Sequence, residues 1–285
     1  MPSPTWTLGS VRITSVKEIE LPIPGAGLVP EATPERLARY AWLAPRFVTA
    51  DGRLRLLIQA FVVESRGKRI VVDTCVGNDK DRTLPPLHHL DTSFLGDLAA
   101  AGFPRESIDT VVCTHLHVDH VGWNTMKVGG RWVPTFPNAR YLVVRREWEH
   151  WSKEDDRSNG DILGDSVRPV FEAGLVDLVE PGHTVTDEVA LEPTPGHTPG
   201  HVSVRIRSAG AEAAITGDLM HHPVQCAHPE WGSSADGDSA AAAATRRSFL
   251  AAQAGQPVLV IGTHFAGPHA GRIVREGSAY RFEVA

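Results

Sequence analysis

The sequence predicts a layered α/β fold, and three observations predict it. Short β-branched segments recur along the chain, from Val11–Val16 to Val258–Ile261. Two early ones, Leu54–Glu64 and Arg69–Asp73, are joined by Ser65-Arg66-Gly67-Lys68, a good hairpin turn. Later strand candidates alternate with helical stretches, so strands and helices are mixed rather than segregated. Periodicity alone does not choose among the folds of this class.

In chain order, the strands expected are Val11–Val16, Leu54–Glu64, Arg69–Asp73, Thr110–Cys113, Ala139–Val144, Val202–Ile206, Ala213–Thr216 and Val258–Ile261. Helices are expected over Pro34–Tyr40, Ser93–Ala101, Arg146–Glu154 and Ser166–Ala173. A further helix starts near Ser239, after Asp236 and Asp238 as N-cap candidates, runs through an alanine tract and ends near Gly255. Residues 1–50 are read as an N-terminal arm; its proline-rich part, Leu21 to Pro45, suits a lid or a dimer contact equally. With 285 residues the whole is read as one domain with a substantial core.

Composition excludes more than it selects. A chain 42% hydrophobic and 22% charged belongs with folded globular proteins. Its formal net charge of -6, with no basic run, gives no electrostatic help toward nucleic acid. No apolar stretch approaches the roughly 18 residues of a membrane span. The N-terminal residues lack the basic and apolar pattern of a signal peptide. Cys75, Cys113 and Cys226 are scattered and odd in number, which suits reduced thiols in a cytoplasmic protein; Cys113 reads as core. Histidine is the outlier, with 14 residues against three tyrosines.

The histidines cluster in Thr114-His115-Leu116-His117-Val118-Asp119-His120, directly after an apolar strand. Residues two apart in an extended segment point the same way, so His115 and His117 can converge on one ion. A turn after His117 can direct Asp119 and His120 to a second. Imidazole and carboxylate suit zinc and other first-row divalent ions. Three strands also finish within a few residues of a ligand candidate: Thr110–Cys113 before His115, Ala213–Thr216 before Asp218, and Val258–Ile261 before His264. Loops at strand ends are where α/β folds gather their sites.

His115-x-His117-x-Asp119-His120 resembles the signature of the metallo-β-lactamase superfamily. Later stations follow in order: Thr194-Pro195-Gly196-His197 resembles its Gly-His loop, Thr216-Gly217-Asp218 the strand end with a bridging aspartate, and Gly262-Thr263-His264 the last histidine. The resemblance implies a four-layer αβ/βα sandwich of two mixed sheets flanked by helices. It implies two divalent metal ions, zinc first and manganese, iron or cobalt as alternatives. His115, His117 and His197 would hold one, Asp119, His120 and His264 the other, with Asp218 shared. A hydroxide bridging the metals would attack an ester-type bond, as two-metal sites do. Asp73 resembles the family's strand-end aspartate that orients a ligand histidine, or it caps a turn. His201 is read as structural or as supporting the ligands.

Substrate depends on loops. Best-known β-lactam hydrolases carry cysteine where this chain has Asp218, so the pattern resembles instead the glyoxalase II, acyl-homoserine lactonase and methyl parathion hydrolase branches, the last two most. The lactonases place a tyrosine three residues after the bridging aspartate; here that position is His221, a proton donor or a wall residue. Asp119 is expected to help move protons as well as to ligate. Trp123, His222 and Phe265, beside ligand candidates, are expected to line a pocket, whereas Trp148 and Trp151 read as packing. The resemblance thus implies a hydrolase of lactones, carboxylic esters or aryl phosphotriesters that are small and fairly hydrophobic. The alternatives are a glyoxalase II-type thioesterase and an iron-dependent oxidoreductase. The only partner expected is a small molecule, with a homodimer open.

Overall fold

The computed structural model describes residues 3–154, 157–267 and 269–285. A first sheet contains β1 (Thr5–Leu8), β2 (Val11–Ile23), β3 (Leu54–Ser65), β4 (Lys68–Val72), β5 (Thr110–Cys113), β8 (Arg140–Val144) and β9 (Val176–Val179), in that spatial order. β3 and β4 run antiparallel, while β4, β5, β8 and β9 are parallel. β6 (Thr125–Val128) and β7 (Arg131–Pro134) form a separate hairpin. The second sheet takes β10 (Thr184–Thr186), β11 (Val189–Pro193), β12 (Val202–Ser208), β13 (Ala211–Ile215), β14 (Val258–Ile261), β15 (Ala270–Glu276) and β16 (Ala279–Val284) in sequence order. Only its β13–β14 pair is parallel among the registers known for it.

Local chemistry explains several elements. The β3–β4 hairpin pairs Ser65 with Lys68, leaving Arg66 and Gly67 as the two turn residues, with φ of 52° and 74°. That is the double positive-φ turn that matches the strand twist. β4 and β5 are buried along both faces, as apolar runs in parallel strands must be. The helix Ser239–Gln253 is capped by Asp238, whose side chain accepts from the N–H groups of Ala240 and Ala241. The expected helix over Ser166–Ala173 is instead a wider turn, Leu163–Val167, followed by Arg168–Glu172.

The chain divides into two compact units, Met1–Ile19 with Ile58–Glu188, and Glu20–Leu57 with Val189–Ala285. Residues 1–50 are therefore shared between them. In the second unit Val29, Ala32, Leu37, Leu43 and Phe47 lie in one core cluster with Leu219, Phe249, Phe265 and Phe282. The proline-rich stretch is thus anchored to that unit's core by a few apolar side chains, while its prolines stay exposed. The cysteines are buried and free, and burial pushes the Cys113 and Cys226 thiols up to about 12. Among the described residues no helix is long and apolar enough to cross a membrane.

Candidate metal centre

In the first unit the chemistry sits on the loop after β5. Asp73 follows β4 in the left-handed region, φ 57°, where a residue with a Cβ is strained by about 1 kcal/mol or more. That turn aims its fully buried carboxylate at the neighbouring strand end. It accepts from the Thr114 N–H at 2.8 Å and from the Thr114 hydroxyl, and it meets His120 Nδ1 at 2.9 Å. His120 Nε2 then faces Asp119 Oδ1 at 3.7 Å. His115 Nδ1 lies 3.1 Å from Thr114 Oγ1, and the His115 ring lies 4.6 Å from that of His117 and 4.0 Å from that of His120. The loop is clamped from outside by Thr74, whose N–H donates to the His120 carbonyl at 2.8 Å. One strand-end aspartate thus fixes both Thr114 and the His120 ring within this motif.

A depression opens beside His117, lined by Leu116, Trp151, Ile162 and Leu163 on one hand and by Glu154, Arg157, Asn159, Asp161 and Arg168 on the other. Trp151 meets the His117 ring edge-on at 5.3 Å. Its Nε1 donates to Glu147 Oε1 at 2.6 Å, and the same oxygen accepts from the Leu116 N–H. Glu147, buried completely, ties the tryptophan to the ligand loop. Trp148, three residues earlier, instead stacks on Phe171 at 4.1 Å.

The second unit supplies its candidates from separate strand ends. His197 lies in the turn between β11 and β12, Asp218 just after β13, and His264 just after β14. Asp218 Oδ2 is 3.2 Å from His197 Nε2 and 3.1 Å from His221 Nε2, while Oδ1 is 3.0 Å from His264 Nε2. Each ligand candidate has its own support. His264 Nδ1 donates to the Leu57 carbonyl at 2.8 Å, and His197 Nδ1 to Asp236 Oδ1 at 2.9 Å. His201 Nε2 accepts from the Asp218 N–H at 2.8 Å, while its Nδ1 turns to Thr194. His201 thus holds the aspartate's main chain.

These tautomers follow from the partners. A carbonyl or a carboxylate only accepts, so the Nδ1 atoms of His264 and His197 carry the protons. Their Nε2 lone pairs then point at a carboxylate, acceptor against acceptor at about 3 Å. Such a contact needs a cation in between, a proton or a metal ion. Without metal, burial pushes His197 down, but Asp218 and Asp236 outweigh it and hold the ring up at about 9. Burial lowers His221 despite Asp218. The donor set of imidazole nitrogens and carboxylates, with far nitrogens already committed, fits divalent transition ions.

The remaining candidates are interior. Trp123 is stacked on Phe94 at 5.8 Å, and its Nε1 donates to the buried Glu18 at 2.6 Å. His222 donates from Nε2 to the Phe47 carbonyl and accepts the Val224 N–H on Nδ1; burial pushes it down to about 4. Phe265 packs edge-on to Phe47 and Phe282. Asp81, His88 and His89 also cluster, on the first unit's surface. There His88 Nδ1 accepts the Arg82 N–H, so its Nε2 carries the proton and is a poor metal donor.

Sequence comparison places the chain. The profile of the metallo-beta-lactamase superfamily matches residues 54–264. The chain belongs to the metallo-β-lactamase superfamily. Its two mixed seven-stranded sheets with flanking helices are that family's fold. It is 26% identical over 174 residues to an N-acyl homoserine lactonase from Bacillus sp, a match covering 56% of this chain and 62% of the lactonase. The chain thus spans less than two thirds of that relative's length. Its fold is similar to that of the hydrolase AbOPH of the beta lactamase superfamily, with TM-score 0.82, 25% identity, and 100% and 97% of the two chains covered. It is also similar to AidC, a dizinc quorum-quenching lactonase, with TM-score 0.81, 21% identity and the same coverage.

Asp236, Glu147 and Trp151 were not legible as site residues. Asp236 reads as a helix cap from its position, and a lone buried glutamate on a helix has no local signature.

Proposed function

We propose that this chain is a dinuclear metal-dependent hydrolase of the lactonase branch, acting on an ester-type bond of a small, fairly hydrophobic substrate. The observation that carries the reading is Asp218 facing the Nε2 atoms of His197 and His264 whose Nδ1 atoms are already committed. In this reading His115, His117 and His197 hold one divalent ion, Asp119, His120 and His264 the other, and Asp218 serves both. When bound, two such ions would supply an acidified water and a polarised substrate oxygen. Zinc is the ion of choice for these donors, and the dizinc relative supports it.

The chain's own residues do the rest. Asp119, with 22% of its side chain exposed, would accept a proton from the attacking water. His221 Nε2 lies 3.1 Å from Asp218 Oδ2, so its imidazole stands beside that carboxylate as a candidate proton donor. Trp151, Leu116, Ile162 and Leu163 offer the apolar contacts beside His117, within a depression that Glu154, Asp161 and Arg168 make polar elsewhere. A lactone carrying an acyl chain fits this description and is what the curated relatives' names state for them.

The test uses metal-free protein reloaded with zinc and a panel of acyl lactones, aryl esters, phosphotriesters and thioesters. Lactone turnover is expected, with loss on chelation and recovery on reloading. Asp218→Ala is expected to lose both bound metal and turnover. Turnover that survives chelation, or an Asp218→Ala variant with full activity, sinks the proposal. Thioester preference or iron-dependent colour redirects it to the thioesterase or oxidoreductase reading.

A further inference from the structure

We propose that Asp236 and Arg246 are positioning residues that set the orientation and donor strength of His197, a role that rests on His197 being a metal ligand as proposed above. Both side chains are fully buried, and both belong to the second unit. Asp236 Oδ1 meets His197 Nδ1 at 2.9 Å, 39 residues away in sequence. Its other oxygen accepts the Ser233 N–H at 2.9 Å and faces Arg246 NH2 at 3.5 Å. Arg246 is held in turn by three carbonyls. Nε donates to Leu219 at 2.9 Å, and NH1 donates to Pro229 at 2.7 Å and Trp231 at 3.1 Å.

The main chain reinforces this relay. Gly237 N–H donates to the His197 carbonyl at 2.9 Å, and Asp238 N–H to that of Gly196 at 3.0 Å. The turn 233–238 therefore grips the His197 loop on its main chain and on its ring. Behind it, the helix Ser239–Gln253 presses so close that a Cβ on Gly196 would lie 2.2 Å from the Ala242 nitrogen. Gly196 itself has φ 132°, so glycine is required twice over.

A carboxylate behind an imidazole fixes the tautomer with Nε2 as the donor and raises its basicity. A buried carboxylate does this only if its own charge is balanced, and Arg246 is the balancing group. Arg246 also accounts for its own burial: a guanidinium carries five N–H donors, and three carbonyls and one carboxylate occupy it. Because Leu219 directly follows Asp218, the same arginine ties the His197 support to the strand end that carries the shared carboxylate. One buried cation thus sets two ligand stations relative to each other.

The experiment compares wild type, Asp236→Asn and Arg246→Lys as metal-free full chains. Near-UV circular dichroism reports the fold, and calorimetric zinc titration with cobalt(II) absorption reports each metal position. Wild type is expected to take two ions. Asp236→Asn keeps the hydrogen bond but loses the charge, so one of the two ions is expected to bind roughly 10–100-fold more weakly, with an altered cobalt band. Arg246→Lys is expected to weaken the same ion to a smaller degree. Two folded variants with wild-type isotherms and cobalt spectra overturn the proposal and leave Asp236 a turn residue. If Asp236→Asn does not fold, Arg246→Lys alone decides: an unchanged isotherm overturns the proposal and a weakened single ion supports it. Wild type that fails to take two ions sinks the underlying metal reading instead, which the same titration shows separately.

Discussion

The two units solve the same problem of aiming histidines in opposite ways. In the first, four candidates lie within six residues, and one strand-end carboxylate, Asp73, engages Thr114 and His120 together. In the second, candidates from three separate strand ends each have a private support: Asp236 for His197, the Leu57 carbonyl for His264, and His201 for the Asp218 main chain. A local motif is cheap to encode but concentrates its dependence on one residue. A dispersed set spreads that dependence, so single losses should be milder there.

Asp73→Ala is the severest test of this contrast. It strands the Thr114 N–H and the His120 Nδ1–H in a dry interior and is expected to cost about 3–5 kcal/mol by urea unfolding of the metal-free protein. A loss below about 1 kcal/mol would break the idea of a single organiser. Next in size is Lys80, buried in the first unit against Thr125, the Trp132 face and Asp165. Burial, opposed by Asp165 and reinforced by Arg82, holds its ammonium down at about 7, against an ordinary 10.5. The native state thus sheds a proton that the unfolded chain keeps between those values, so stability rises with pH through that window. Between pH 7 and pH 9 wild type is expected to gain roughly 2–3 kcal/mol relative to Lys80→Met; parallel pH curves for the two would show that Lys80 stays charged.

The dispersed half should respond more gently. His201→Ala removes the acceptor of the Asp218 N–H, and a loss of about 1–3 kcal/mol is expected, smaller than that of Asp73→Ala. Equal or larger damage would invert the comparison. Smallest of all is Lys68→Ala, which deletes the exposed lysine's single pair with Asp109 in the first unit. Surface pairs contribute under about 1 kcal/mol, so the melting temperature should barely move.

The contrast also explains what could be read in advance. The first half-site was legible because period-two geometry acts over adjacent residues, and the three strand-end candidates were legible because β5, β13 and β14 end within three residues of His115, Asp218 and His264. Asp73 stood out by resemblance, with a turn cap as the alternative, and His201 read as structural or supporting because His197 already filled the histidine station. Trp148 and Trp151 illustrate the limit. Their spacing puts both on one helical face, yet one stacks on Phe171 and the other edges His117. Trp123 and Phe265 follow ligand candidates closely but turn into the interior, because neighbours in a turn need not share a direction. β10, β15 and β16, at or next to the edges of the second sheet, escaped notice, since polar residues such as Arg272 and Glu276 in β15 interrupt the apolar pattern.

By itself the sequence determined the family, the α/β class and the residue types available to metal, because these follow from local pattern and motif order. Only the tertiary structure decided which nitrogen of each histidine is committed, that Asp236 serves His197 rather than a helix end, and that Glu147 ties Trp151 to the ligand loop. The physical reason is range. Strand period and motif spacing act over a few residues, whereas a hydrogen bond closed across 39 residues exists only once the strands have brought its ends together.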